Sequence, residues 1–255
     1  MQFNYDYLLD YCQDGLTPNM SALDYGCGKG EMVAVGRERG IDIYGVDIFY
    51  KDGRTRDNVE KRGLLGIYVK EIRDGIIDFP AGRFDMVVSN QVFEHIEDLD
   101  AVLAEIARVL VPGGTLHALF PVDETWWEGH FGVPFLHNFR SNSSWQLAYA
   151  RLWHRLGLGY HHAGRDSEEW AVYVCDWIAK YTSYRSQAEI TRLLRKHFEE
   201  VEFTEDVYLA HRLSKAAVPG KKVLQAMHNT AFGRWMLRKV YHKRGGIVIT
   251  ARCGH

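Results

Sequence analysis

The chain has 255 residues, 31 Lys and Arg against 33 Asp and Glu, and a formal net charge of −2. Near-neutral charge gives no reason to expect a DNA partner, and a chain of this length buries a core without a metal or disulfide staple. Its four cysteines, Cys12, Cys27, Cys175 and Cys253, form no CxxC pair, which fits a reducing cytoplasm and suggests neither a zinc site nor a disulfide framework. The first residues lack a basic, apolar leader pattern, and no run approaches the length of a membrane span.

In chain order, strands are expected over 21–25, 42–48, 66–72, 83–90 and 114–121, each apolar or β-branched and bounded by turn residues. Between the fourth and fifth, Leu99, Leu103, Ile106 and Leu110 recur at helical spacing. Asp98 or Asp100 can cap that helix, and Pro112-Gly113-Gly114 stops it. Strand–helix–strand at this spacing implies right-handed crossovers and a parallel sheet. Residues 122–185 break the rhythm with aromatics, histidines and glycines, and a helix is expected near 145–156. Regular structure resumes at Ser186-Gln187-Ala188-Glu189, which has the form of a capping box. Strands over 199–206 and 246–253 complete a sheet of seven. The segment 211–244 holds many Lys and Arg and no Asp or Glu. The expected architecture is one α/β domain, 1–255, of Rossmann-like form. Its seven-stranded sheet is mostly parallel, with a substrate-side insertion or lid at 122–185 and a basic helical insertion at 207–245.

Two motifs carry chemistry. Asp24-Tyr25-Gly26-Cys27-Gly28-Lys29-Gly30 follows a strand and precedes a helix, where glycines let the backbone turn and approach a ligand. Position 31 is Glu, so the dinucleotide fingerprint Gly-x-Gly-x-x-Gly is broken. Asp24 would repel a pyrophosphate and suit an ammonium. Gly45-Val46-Asp47-Ile48 ends the second strand, on the binding edge of an open α/β sheet. Asp47 there can accept both ribose hydroxyls and Ile48 can pack on an adenine, or Asp47 is simply a turn residue.

These segments resemble the class I S-adenosylmethionine-dependent methyltransferases. The glycine loop looks like that family's first motif and Gly-Val-Asp-Ile its second. Phe84 to Asn90 followed by Val92-Phe93-Glu94-His95-Ile96 resembles the fourth-strand motif, and Arg108 to Gly114 the Arg-x-Leu-x-Pro-Gly-Gly segment. The resemblance covers about residues 20–121. It implies S-adenosylmethionine as cofactor, with Gly26, Cys27, Gly28 and Gly30 lining the methionine end, Asp24 nearby and Asp47 on the ribose. It also implies Asp74 at the adenine amine, and Asn90 and Gln91 beside the sulfonium. Glu94-His95 either touch a ligand or pack the loop. Cys27 has nothing nearby to make it a nucleophile.

The acceptor side is expected from the insertion. His130 is the first candidate for a base, with His137 and Glu128 behind it; the same residues would equally serve to brace an irregular loop. No metal is expected, because the spacing of His130 and His137 is not that of a helical ligand pair. Trp126, Trp127, Phe131, Phe135 and Phe139 form either an aromatic wall for substrate or a small local core. The basic run 211–244, including Lys221, Lys222, Arg234, Arg238, Lys239, Lys243 and Arg244, is a solvated face, a grip for an anionic substrate or a membrane-surface contact. The reading that follows is a methyltransferase for a small molecule, first by O-methylation of a sugar-like or secondary metabolite. The alternatives are a cofactor-binding protein of this fold without catalysis and a methyltransferase for RNA or protein. Asn90-Gln91-Val92-Phe93 stands where base amino-methylating enzymes carry Asn-Pro-Pro-Tyr, which argues against that chemistry.

Overall fold

The computed structural model describes residues 2–49, 54–215 and 220–254. The strands are β1 (Ala22–Tyr25), β2 (Ile43–Asp47), β3 (Val69–Glu71), β4 (Phe84–Asn90), β5 (Leu110–Phe120), β6 (Trp127–Glu128), β7 (Val133–Pro134), β8 (Glu200–Phe203) and β9 (Ile247–Arg252). The helices are α1 (Gln2–Gly15), α2 (Glu31–Glu38), α3 (Arg54–Lys61), α4 (Leu99–Val109), α5 (Ser144–Arg155), α6 (Ser167–Tyr181), α7 (Gln187–His197), α8 (Glu205–Lys215), α9 (Lys221–His228) and α10 (Ala231–Gly245).

Seven strands form one sheet in the order β3-β2-β1-β4-β5-β9-β8, parallel from β3 to β5 and antiparallel at β9. This is the Rossmann-like, mostly parallel sheet expected from the sequence. After β1 the chain steps outward through β2 and β3, then returns to place β4 on the other side of β1. The crossovers therefore diverge at β1 and β4, and a crevice opens at their carboxyl ends. Alternate faces of the central strands are covered by two apolar clusters. One is built around Phe84, Val87, Leu103 and Leu116, the other around Leu8, Ile43, Val88 and Val248.

Several boundaries differ from expectation for local reasons. Leu110 leaves the helical stripe and pairs with Phe84 in β5. The chain then bulges over Val111–Gly114 before Thr115 re-pairs with Met86. At that bulge a side chain on Gly114 would stand 2.9 Å from the Val111 carbonyl oxygen. Ser186 Oγ caps α7 by accepting from Glu189 N at 3.2 Å, while Glu189 turns to Arg185 instead of completing a box. The reciprocal box lies at Asp166 and Glu169, opening α6. Strand β8 stops at Phe203, and Glu205 and Asp206 begin α8.

Residues 122–185 hold the β6–β7 ribbon, α5 and α6 around a separate apolar cluster that includes Phe131, Trp170, Val174 and Ile178. The basic run, read from sequence as one amphipathic helix, is divided among the end of α8, α9 and α10. Left-handed Gly220 precedes α9, and Thr230 Oγ1 caps α10. Residues 216–219 of that run lie outside the described residues.

Candidate active site

The glycine loop turns over the end of β2. Gly26 N and Cys27 N both donate to the Val46 carbonyl, at 2.8 and 3.0 Å. Gly26 has φ +79, and a Cβ there would run into the methyl groups of Val92. Gly28, with φ +53, faces open space. Gly30 begins α2 in the left-handed conformation, and an added Cβ would meet Leu64.

Asp47 is the fixed point of this edge. Its Oδ2 accepts from Gly28 N and its Oδ1 from Phe49 N, each at 2.8 Å. A carboxylate offers about four lone-pair directions, so two remain for a pair of hydroxyls. Asp24 lies behind the loop, 3% exposed, and has no hydrogen bond to its carboxylate among the described residues. Burial, with the Asp47 charge added, pushes its pKa up to about 8. Burial also pushes the Cys27 thiol well above its ordinary range, which removes it as a nucleophile.

These residues border a cleft of about 290 Å³. Tyr25, Gly26 and Gly28 form one side, Asp47, Ile48 and Phe49 the next, and Gln91, Val92, His95 and Ile96 the wall opposite, with Ile72 between. Asp74 is not part of it. A tight turn joins Arg73 to Ile76, and positive φ at Asp74 and Gly75 swings the carboxylate out to solvent, where it borders a different cleft with Lys70 and Asp78. Ile72, held by Ile72 N donating to the Asp47 carbonyl, takes the expected place. Asn90 is half-buried, with Oδ1 accepting from Asn4 Nδ2 at 2.9 Å, and Asn4 in turn accepts from the Tyr208 hydroxyl. Asp24, Cys27, Gly30 and Asn90 support the cleft without lining it.

A second cleft, of about 840 Å³, adjoins the first, and Gln91 and His95 border both. Its lining is aromatic, with Trp127, Phe131, Tyr160, Tyr173 and Trp177 among it. It also holds Arg212 and Arg244, and no Asp or Glu lines it among the described residues. Arg244 lies over the Trp127 ring at 4.0 Å. Of the five aromatics singled out in sequence, Trp127 and Phe131 line this cleft. Trp126 packs against Trp127 and Phe135, and Phe139 against Tyr149.

His130 stands where the clefts meet. Its Nδ1 is 2.6 Å from Glu128 Oε1. The Glu128 carboxylate is fully buried and also accepts from Phe131 N at 2.8 Å and the Tyr184 hydroxyl at 3.2 Å. Burial pushes the Glu128 carboxyl up, but the hydrogen bond and charge of His130 and two backbone N–H groups outweigh it, so it lies below its ordinary value. His137 does not line the cleft. It stacks on Tyr184, ring centroids 4.4 Å apart, and burial lowers its pKa. Sequence reasoning gave His95 no settled role, although the fold sets it at the junction. It also passed over Tyr160, Tyr173 and Trp177, which reach the cleft only by tertiary packing.

The family model described as a methyltransferase domain matches residues 23–118. Residues 23–118 are a class I methyltransferase domain. The remaining lone pairs of Asp47 and the open face of Gly28 fit the diol and the backbone-facing edge of S-adenosylmethionine. The chain is 31% identical over 97 residues to a ubiquinone biosynthesis O-methyltransferase of Methylococcus capsulatus, covering 37% of this chain and 40% of that protein. It is 36% identical over 110 residues to the nocamycin O-methyltransferase of Saccharothrix syringae, covering 41% and 39%. The chain thus spans about two-fifths of the length of these curated relatives. A structure of an S-adenosylmethionine-dependent methyltransferase from Mesorhizobium loti shares the fold, with a TM-score of 0.52 and 16% identity over 95% of this chain and 96% of that one. The family match ends at residue 118, and most residues of the aromatic and arginine-bearing cleft lie beyond it.

Proposed function

We propose that the protein methylates a hydroxyl group of a small, flat or sugar-like molecule that carries negative charge. The observation that carries this reading is the junction. A cofactor cleft ending at Gln91 and His95 opens directly into a larger aromatic cleft with two arginines. The O-methyltransferase names of the two relatives support an oxygen acceptor.

Bound S-adenosylmethionine supplies an activated methyl group. The chain's own residues bind, align and deprotonate. Asp47 accepts the ribose hydroxyls, Ile48 and Ile72 flank the adenine, and the Gly26–Gly28 backbone borders the methionine end. Asp24, buried behind the loop, places its carboxyl near that end. Aromatic faces hold the acceptor, Arg212 and Arg244 attract its charge, and alignment of this kind supplies about 7–11 kcal/mol of a barrier. His130 Nε2 takes the acceptor's proton while Glu128 holds Nδ1–H, fixing the tautomer. The acceptor oxygen would gain the methyl as its own proton passes to His130 Nε2.

We further propose contact with an anionic membrane surface through 211–244. Stacked, exposed Phe232 and Trp235 project beside basic residues of α9 and α10. No described helix is long and apolar enough to cross a membrane. A cytoplasmic location is part of the same reading.

The test is calorimetric titration with S-adenosylmethionine, S-adenosylhomocysteine and NADH, followed by an acceptor screen with labelled methyl donor. Micromolar binding of the sulfur compounds and transfer to an anionic hydroxy compound are expected. Binding of NADH alone would overturn the reading, and sulfur-cofactor binding with transfer only to RNA or protein would overturn its substrate half.

A further inference from the structure

At the junction, His95 and His130 point their Nε2 atoms at each other, 3.3 Å apart. His95 Nδ1 is 2.6 Å from the Tyr181 carbonyl oxygen, and His130 Nδ1 is 2.6 Å from Glu128 Oε1. A carbonyl and a carboxylate oxygen only accept, so both rings donate from Nδ1. Each neutral ring then carries its lone pair on Nε2. Two lone pairs facing each other at this distance repel unless something positive lies between them, a proton or a metal ion.

Glu94 distinguishes the two. It is 2% exposed, and among the described residues neither carboxylate oxygen has a hydrogen-bond partner. Its Oε1 is 3.9 Å from His95 Nε2, and one ligand atom from each of Glu94, His95 and His130 lies within 4.8 Å of the others. A proton shared by the rings would leave both Glu94 oxygens without a partner, at the cost that burying a polar group carries. A cation would lie between the two ring lone pairs and give Glu94 a partner. We propose that Glu94, His95 and His130 form a binding site for one divalent first-row transition ion of the zinc class.

The spacing suits that ion. Two imidazole nitrogens at about 2.0–2.1 Å from a tetrahedral centre stand about 3.3–3.4 Å apart. The outer contacts suit it as well, because the Tyr181 carbonyl and Glu128 orient the two rings as second-layer partners of histidine ligands do. Three protein ligands leave a fourth position, and His95 and His130 both line the acceptor cleft. No metal was expected from the spacing of His130 and His137; the fold brings His95 to His130 instead. The ion's catalytic meaning rests on the methyl-transfer reading and changes one step of it. With the ion bound, His130 Nε2 is a ligand, and the acceptor hydroxyl, acidified by the ion's charge, releases its proton to solvent through the open cleft. In the ion-free protein His130 remains the base.

The test uses the full chain, stripped with a chelator and titrated with Zn²⁺ by calorimetry and with Co²⁺ by visible absorption. Affinity for S-adenosylhomocysteine is measured in parallel. One tight Zn²⁺ site and an intense four-coordinate cobalt spectrum are expected. His95→Ala, His130→Ala and Glu94→Gln should each weaken zinc at least tenfold. Glu128→Gln should weaken it about 10–100-fold through ring orientation. His154→Ala, at a separate pair with His162, should leave zinc affinity unchanged. An unchanged far-ultraviolet circular dichroism spectrum and a cooperative melting transition in the variants show that they fold. If a variant does not fold, the parent's cobalt spectrum decides, since a surface histidine gives a weak octahedral one. Zinc affinity in His95→Ala and His130→Ala equal to the parent's would overturn the proposal, because the chain has 12 histidines that could bind the ion elsewhere. Cofactor binding without a zinc site would sink the ion and spare the methyl-transfer reading. A zinc site without cofactor binding would support the ion and sink that reading.

Discussion

Replacing Asp47 with Ala tests the cofactor geometry most directly. The carboxylate receives N–H bonds from Gly28 and Phe49, and its remaining lone pairs are assigned to two ribose hydroxyls. A hydrogen bond to a charged group contributes about 1.5–3 kcal/mol, so losing two removes about 3–6 kcal/mol of binding, or roughly 10²–10⁴-fold in affinity. The substitution also leaves two backbone donors without their acceptor. At about 1 kcal/mol each, this lowers stability by about 2 kcal/mol and the melting temperature by about 4–8 °C for a chain of this size. Asp47→Asn should fall between, since the amide oxygen keeps one acceptor position but its NH₂ faces a donor. The assay is calorimetric titration with S-adenosylhomocysteine at a temperature where both variants are folded. Affinity of Asp47→Ala within threefold of the parent, in a folded protein, would refute the placement of the ribose on this strand end.

Gly26→Ala places a methyl against Val92 at a left-handed backbone position. A loss of about 2–5 kcal/mol in thermal or denaturant unfolding is expected, and adding Val92→Ala should return the steric part. No rescue would mean that the backbone conformation alone governs the site. His130→Ala should lower turnover about 10²–10⁴-fold with S-adenosylhomocysteine affinity unchanged; turnover within threefold of the parent would remove His130 from the proton's path. Asp24→Asn addresses the buried acid. Asp24 has a folded pKa of about 8 against an ordinary 3.8, so the folded chain holds a proton that the unfolded chain releases between those values. The parent's stability from this group is therefore full below pH ~4 and declines as pH rises toward ~8, by several kcal/mol at most. Asp24→Asn lacks that decline, so its melting temperature should gain on the parent's steadily from pH 5 to 8. A constant difference would show that Asp24 is ionised throughout.

What the sequence determined by itself is what neighbouring residues decide among themselves. Glycines spaced as Gly26 and Gly28 mark a tight turn after a strand. Alternating apolar strands and amphipathic helices such as Leu99–Val109 dictate parallel crossovers, and an acid at the end of the second strand must reach the same edge as the first loop. Each follows from local backbone geometry and from the handedness of crossovers, so the sheet edge where the glycine loop meets Asp47 was legible from residues 23 to 48, and the seven strands from apolar runs bounded by turn residues. Asp74 shows the limit even there, because one turn with positive φ rotates a side chain from cleft to solvent without altering the pattern around it. The acceptor cleft was decided by tertiary structure. Arg212 and Arg244 enter it from α8 and α10, Tyr173 and Trp177 from α6, and His95 meets His130 at a sequence separation of 35. No periodicity links those residues, since their contacts depend on how a separately packed insertion and the C-terminal helices settle on the sheet's carboxyl edge. The buried carboxylates of Glu94 and Glu128 became meaningful only once burial removed water from around them and left each to find its partner in a distant segment.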